Sequence, residues 1–235
     1  MILRFGCSDT MYQLSNYSYQ ITKATPQYSG KSYIESRIDH GNPLYETMVA
    51  KAGAGTLLSV GSGKTIVTQR QGNGSYRNYF GLQVPEDFLH SGVDLENLEA
   101  TRRLLLTHFY ADWAEEYKDL IRHATDLRAW PLYTLSAEDL PWKSVPSLTL
   151  AGDAAHLSVP NGEGVNLAMT DSLRLAAKIA EHGTEHLDRA VQEYEADMFP
   201  RGIDTISAGN AMSGAMFAED PRVSLQLMTA GEAAE

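Results

Sequence analysis

The stretch that most constrains this chain is LTLAGDAAHLSVPNGEGVNLAMTDSLRLAAKIAEH, residues 148–182. Its opening apolar run, roughly Ser147–Ala151, predicts a buried strand with Asp153 at the carboxyl end. The loop SVPNGEG follows, and a helix is expected from about Gly164 to Glu181, ended by Gly183. Val165, Ala168, Met169, Ser172, Leu173, Ala176, Ile179 and Ala180 recur at helical spacing, while Thr170, Arg174, Lys178 and Glu181 lie on the other side. Most of the first set are small. That face is therefore expected to lie close against a sheet, as in an α/β domain.

The order of parts matters chemically. In open α/β sheets ligands collect at the carboxyl ends of strands. A helix N-terminus presents free amides and a positive dipole end, which favour anionic atoms. Gly162 and Gly164 leave the backbone without a Cβ, and Pro160 stiffens the entry. The element thus offers a carboxylate for hydroxyl groups and amides for a delocalised anion. From spacing alone the alternative also stands: Asp153 caps its own turn, and glycines before a helix are common.

Upstream, the sequence reads as sheet and then helix. Residues 1–26 show no sustained period and are read as irregular. KSYIESRID alternates as a strand does. Asn42-Pro43 predicts a cap and first helical position for PLYETMVAKA. AGTLLSVG, KTIVTQRQ and SYRNYFGLQ predict three antiparallel strands joined by turns at GSG and GNG. Val67, Gln69 and Gln71 then share one side. Tyr76, Asn78 and Phe80 share another, with Arg77 and Tyr79 opposite. Ser91 or Asp94 is the expected cap of the helical stretch from Asn97, with a break near Trp113. LRAWPLYTL reads as extended. After Gly183 a long helix is expected to break at Pro200, and TAGEAAE to fray.

Composition excludes several classes. A net charge of −11 does not suit a nucleic-acid surface, which needs a basic patch. The single cysteine, Cys7, leaves no internal disulfide and no Cys-based zinc site, and it suits a reducing compartment. MILRFGCSDT turns polar too soon for a signal peptide, and no apolar run reaches a membrane span. The expectation is a cytoplasmic protein with no membrane span and no bound metal. GSGKT at residues 61–65 lacks the earlier glycine of a phosphate loop, since Leu58 stands there, and a strand follows it. GAGTLL likewise fails as a dinucleotide fingerprint, again at Leu58. No G-x-S-x-G elbow and no H-E-x-x-H motif is present.

G-D-A-A-H, a Pro/Gly loop and G-V-N entering an Ala/Leu helix resemble the second flavin-binding motif of the FAD-dependent monooxygenases of the aromatic-hydroxylase type. That group includes p-hydroxybenzoate hydroxylase and the tetracycline-inactivating monooxygenases. The resemblance extends over roughly residues 27–215: a strand meander, a helix with ADW, a W-P-L-Y stretch, then V-P-S-L-T-L-A-G-D. It implies that Asp153 hydrogen-bonds a ribityl hydroxyl of FAD and that Pro160 lies near the flavin ring. It implies that the backbone of Gly162, Gly164, Val165 and Asn166 faces the ring's N1 and C2 carbonyl, and that His156 is structural. The meander becomes a substrate floor, with Gln69, Arg77 and Phe80 as candidates to face it. The loop LSVPNGEGVN is one residue shorter than in many relatives, which bears on the Pro160 contact.

The implied fold is α/β with α+β character: a partial FAD-binding Rossmann-type layer, an antiparallel substrate-binding sheet and C-terminal helices. The expected segments are 1–26 irregular, 27–92 sheet, 93–145 connecting helices, 146–182 the returning strand–loop–helix, and 183–235 C-terminal helices and tail. The family's G-x-G-x-x-G and D-G motifs are absent from this sequence. The expectation is therefore an N-terminally truncated member, the C-terminal part of an enzyme that uses FAD, NAD(P)H and O2 to hydroxylate or epoxidise a small organic, aromatic or polyketide-like substrate. Whether this chain alone is an enzyme turns on that missing motif, and it is expected to be inactive in isolation. Two alternatives stand beside it: a non-catalytic small-molecule or protein-binding module, and a flavin scaffold with a different chemistry such as dehydrogenation.

Overall fold

The computed structural model describes residues 21–88, 92–146 and 148–232; most of the irregular N-terminus, Ser91, Ser147 and the last three residues of the tail lie outside them. The chain divides into two compact units. One holds Gly30–Leu132 and the residues from Gly214 onward, and the other the residues up to Ser29 together with Tyr133–Ser213.

The first unit is built on the strands β1 (Gln27–Ile38), β2 (Thr56–Gly61), β3 (Lys64–Arg70), β4 (Tyr76–Gln83) and β5 (Thr125–Thr134). They lie in the order β2-β3-β4-β1-β5, so the expected meander gains β1 on its far edge. The alternation of β4 decides what each face does. Tyr76, Asn78, Phe80 and Leu82 are buried, and Arg77 and Tyr79 are half-buried. Register repeats this across the sheet, with Ile34 and Ile66 both opposite Phe80. The buried face packs on α1 (Tyr45–Ala52), on α2 (Leu98–Leu104) with its π-helical continuation Leu105–Phe109, and on α3 (Glu115–Arg122). Tyr110 seals the contact: its ring meets Phe80 edge-on at 6.1 Å, and its hydroxyl donates to the carbonyls of Thr65 and Gly81. Burying a phenol requires such partners, and burial also raises its pKa well above the ordinary value.

Local signals needed correction in two places here. Asn42 does not cap α1. Its side chain accepts from the Leu44 amide and the helix begins at Tyr45, because Pro43 is used up in the turn. Asp94 does not cap α2 either. It closes a turn by accepting from the Glu96 and Asn97 amides, and Asn97 is the cap, accepting from Ala100. The expected break near Trp113 is present between the π-helical turn and α3. GSGKT is a hairpin: Ser62 and Gly63 carry φ of 49° and 67° between Gly61 and Lys64, which pair.

The second unit contains the short helix α4 (Asp153–His156), α5 (Gly164–His182) and most of α6 (Leu187–Met216); α7 (Pro221–Glu232) belongs to the first unit. Three expectations fail here. Leu148–Ala151 forms no sheet strand. Its one bridge is Leu148 with Val145, because no neighbouring strand exists among the described residues. The segment is still buried, among Leu175, Val191, Tyr194 and Met198, and Tyr194 donates its hydroxyl to the Leu150 carbonyl. Secondly, α6 does not break at Pro200. It runs as one 30-residue helix, with Tyr194, Met198 and Ile206 fully buried on either side of the proline. That packing outweighs one lost backbone bond. Thirdly, α5 does not turn its Val165–Leu173 stripe inward. Val165, Met169 and Leu173 are 73%, 58% and 69% exposed, while Asp171 and Leu175 are buried. A buried polar network explains the rotation. No helix of the described residues is long and apolar enough to cross a membrane.

Candidate flavin site

The site begins at Gly152, with φ 60° and ψ −145°. An added Cβ there would lie 3.1 Å from the Cβ of Ala168 on α5, so glycine is required both by conformation and by closeness. The Gly152 amide donates to Asp171 Oδ2 at 2.9 Å. The same oxygen receives His156 Nε2 at 2.6 Å, and Asp171 Oδ1 faces Arg201 Nη2 of α6 at 3.3 Å. Burial alone would raise the Asp171 carboxyl. The bonds from His156 and Gly152, with Arg201, outweigh it and hold the pKa below its ordinary value. His156 is thus fixed within the fold and points away from solvent, 3% exposed.

This network aims Asp153. Its carboxylate is half-buried, and a Cβ built on Gly164 would lie 3.9 Å from its Oδ1. The acid and the helix start, eleven positions apart in sequence, therefore meet in space. Among the described residues no hydrogen bond or ion pair satisfies the Asp153 carboxylate. Burial raises its pKa, and the nearby His156 opposes part of that rise.

The first turn of α5 also lacks a side-chain cap, since Glu163 at the cap position makes no such bond. Its amides at Gly164, Val165 and Asn166 remain available. Gly162, at φ 86°, has no atom within 4 Å of where a Cβ would stand. Asn161 accepts from the Glu163 amide, but its Nδ2 is buried without an acceptor. Pro160 is exposed. An unsatisfied carboxylate, free helix amides and an orphaned amide donor fit a cofactor that brings hydroxyls and a partly anionic edge.

The sheet residues named from sequence are in the other unit. Gln69 is exposed on β3 and Arg77, its direct register partner on β4, is half-buried on the same face. Phe80 goes to the opposite face and into the core, 0% exposed, so the sheet does not bring it beside Arg77. Asp171 was missed. A lone acid inside an Ala/Leu helix reads as a solvated position, although its i+4 spacing to Leu175 was the available signal. One ligand-type cluster also forms: Glu181, His182 and Glu193 bring their ligand atoms within 4.8 Å of one another. Lys178 already bonds both carboxylates there, so their charge is met.

Residues 117–207 match a protein family described as "FAD binding domain". The chain is 30% identical to the monooxygenase asqM of Emericella nidulans over 77% of its own length and 52% of the relative's. It is 29% identical to the monooxygenase penA of Penicillium thymicola over 75% of its length and 51% of the relative's. These similarities support an FAD-dependent monooxygenase of the aromatic-hydroxylase type. It spans about half the length of these relatives. Its fold is that of Klebsiella pneumoniae HpxO, solved with FAD and uric acid, at TM-score 0.71 and 19% identity over 92% of this chain and 54% of that one. FAD is the cofactor of this family's binding domain, and the matched segment includes both Asp153 and α5.

Proposed function

We propose that Asp153 and the start of α5 hold FAD in a flavin-dependent monooxygenase that hydroxylates or epoxidises a small organic substrate. NAD(P)H is the reductant and O2 the oxidant, in a cytoplasmic setting. The observation that carries this reading is the half-buried Asp153 carboxylate, unsatisfied and beside the uncapped helix start at Gly164. Asp153 accepts from a ribityl hydroxyl. The amides of Gly164, Val165 and Asn166 favour negative charge on the flavin ring, with Gly162 leaving room and Pro160 at the entry. When bound, FAD supplies the redox and oxygen-transfer chemistry, and the protein supplies orientation and exclusion of water. Gln69 and Arg77 face the substrate from the sheet, and Phe80 supports them from its core side.

As the isolated chain it is expected to bind FAD weakly and to be inactive, since its sequence offers one half of a cofactor clamp. Titration with FAD, followed by flavin fluorescence, tests both parts. Asp153→Ala should weaken binding at least about tenfold, the loss of one charge-assisted hydrogen bond. Equal affinity of the two proteins overturns the assignment. Stoichiometric FAD surviving gel filtration overturns the weak-binding part alone.

A further inference from the structure

Three aromatic rings of the sheet unit stand in line where its helical stretch is broken. The Tyr110 ring meets Trp113 edge-on at 5.1 Å, and Trp113 meets Tyr117 of α3 edge-on at 5.3 Å. Tyr110 is fully buried, whereas Trp113 and Tyr117 are half-buried among exposed neighbours in residues 111–117. The line therefore leads from the core to the surface.

Its inner end reaches through the sheet. The Tyr110 hydroxyl donates to the Gly81 carbonyl at 3.0 Å. On the other side of that strand, a Cβ built on Gly81 would lie 2.8 Å from Tyr33 Cε1 and 2.8 Å from Phe217 Cζ, so only a residue without a side chain lets these rings close on the backbone. Tyr33 is the register partner of Gly81, on the face opposite Ile34 and Phe80, and it meets Tyr79 edge-on at 5.8 Å. Burial, and then the nearness of Tyr33, raise the Tyr110 pKa well above its ordinary value. One glycine thus joins two aromatic sets, Tyr79 and Tyr33 on one face, Tyr110, Trp113 and Tyr117 on the other. Phenylalanine would give the same edge-on packing with no polar group to satisfy. The line instead uses phenol and indole, the aromatic side chains that give up an electron most readily.

We propose that this line carries an electron from the surface at Trp113 and Tyr117 to the sheet face at Tyr33 and Tyr79, where it reduces a one-electron oxidant of the peroxide-derived class and spares that face from damage. The oxidant takes one electron from Tyr33 or Tyr79, and the phenol proton passes to water. An electron from Trp113 then returns to that phenoxyl, which regains a proton from water. Tyr110 is the bridge and does not hold the radical: its buried hydroxyl donates to two carbonyl oxygens, neither a base strong enough to take its proton. Indole has no such need, since it can lose the electron first and its N–H proton to water afterwards. A thiol in solution restores Trp113, directly or through Tyr117, by giving up an electron and a proton. The net reaction is oxidation of a thiol by the oxidant. It does not rest on the FAD assignment, because any oxidant of this class at that face suffices.

The test fixes an oxidant at the sheet face of the full chain. Cys7→Ser with Lys31→Cys leaves one thiol, two residues from Tyr33 on the same face of β1, and a ruthenium polypyridyl photo-oxidant is attached to it. A flash with an electron acceptor in solution generates Ru(III). Transient absorption then follows the radicals, and peptide mass spectrometry locates oxygen added on continued illumination with glutathione present. A tryptophanyl radical should appear, and Tyr33 and Tyr79 should remain unmodified. Trp113→Phe should abolish the radical and leave both tyrosines oxidised. Trp113→Tyr disturbs the same packing but keeps an oxidisable ring, so it should restore their protection. Trp130 is the rival indole of this unit, with its Nε1 donating to Glu35 at 2.8 Å, and Trp130→Phe should leave the signal unchanged. Absence of the radical, a signal that survives Trp113→Phe or is lost in Trp130→Phe, or equal damage in the Phe and Tyr variants of Trp113 overturns the proposal.

Discussion

The two units keep their shape by different means. The sheet unit rests on apolar volume: Ile34, Ile38, Ile66, Phe80 and Leu120 fill one face with at most 2% exposure each. The flavin-site unit has smaller apolar groups at its centre, Ala151, Ala154 and Ala155, and more buried ionisable groups, with Asp171, His156 and Glu195 at 0%, 3% and 1% exposure against Glu35 at 2% in the sheet unit. Apolar volume tolerates exchange for a similar shape. A buried charged network does not, because removing one member strands the others. The difference fits the proposed tasks. A floor needs a stable surface, whereas a cofactor loop needs one backbone conformation at Gly152 so that Asp153 points one way.

The largest effect expected from that contrast is at Asp171. Asp171→Ala strands His156 and the Gly152 amide, leaves Arg201 with Asp197 as its one acid partner, and should cost about 3–5 kcal/mol, read by urea unfolding. Asp171→Asn keeps an acceptor and should cost less, but it should change the pH dependence. The Asp171 pKa is lowered in the fold. Its contribution is therefore full above the ordinary carboxylate range of about 4 and is lost as pH falls through the lowered value. The acid limb of stability should flatten in Asp171→Asn. An unchanged limb would mean that the buried charge does not set the stability of this unit.

How much of this could be read from sequence follows from the same contrast. The hairpins were legible because period-two alternation and Ser62-Gly63 or Asn73-Gly74 turns are local signals. Gly164 and Gly183 marked the ends of α5 for the same reason. What could not be read depended on partners distant in the chain. Asp171 faces inward because of Gly152, His156 and Arg201, and no window of sequence contains all four. The wrong face was therefore assigned to α5: its apolar stripe was the stronger local signal, and the buried bonds of Asp171 overrode it. Pro200 failed similarly, since the packing of Tyr194 and Met198 outweighs its local effect. The motif named Asp153 and Gly164 separately, and their closeness shows only in the geometry, while Glu35 carried no sequence signal at all.

A smaller effect is expected at Gly152, where backbone alone is at issue. Gly152→Ala places a side chain at positive φ with Ala168 3.1 Å away, and should cost about 1–3 kcal/mol. Its consequence for flavin should exceed its consequence for stability, because the elbow that aims Asp153 must shift. Loss of stability with unchanged FAD affinity would show that Asp153 tolerates a different approach.

The smallest effect belongs to the surface cluster, which has charges like those of the buried network but lies in water. Hydrogen bonds from His182, Lys178 and Arg189 lower the Glu193 pKa to about 2. Stability linked to it is thus present above the ordinary carboxylate range and is lost only as pH falls toward that value. The group is solvated, so its pairs are screened. Glu193→Gln should change Tm by about 1 °C at low salt, and the change should vanish near 1 M salt, where the screening length is about 3 Å. Asp171→Ala should keep its full cost at the same salt, because water and ions do not reach a fully buried carboxylate. If the two variants lose their effects together as salt rises, burial is not what separates these two charge clusters. The contrast between the units would then reduce to the number of bonds each carboxylate makes.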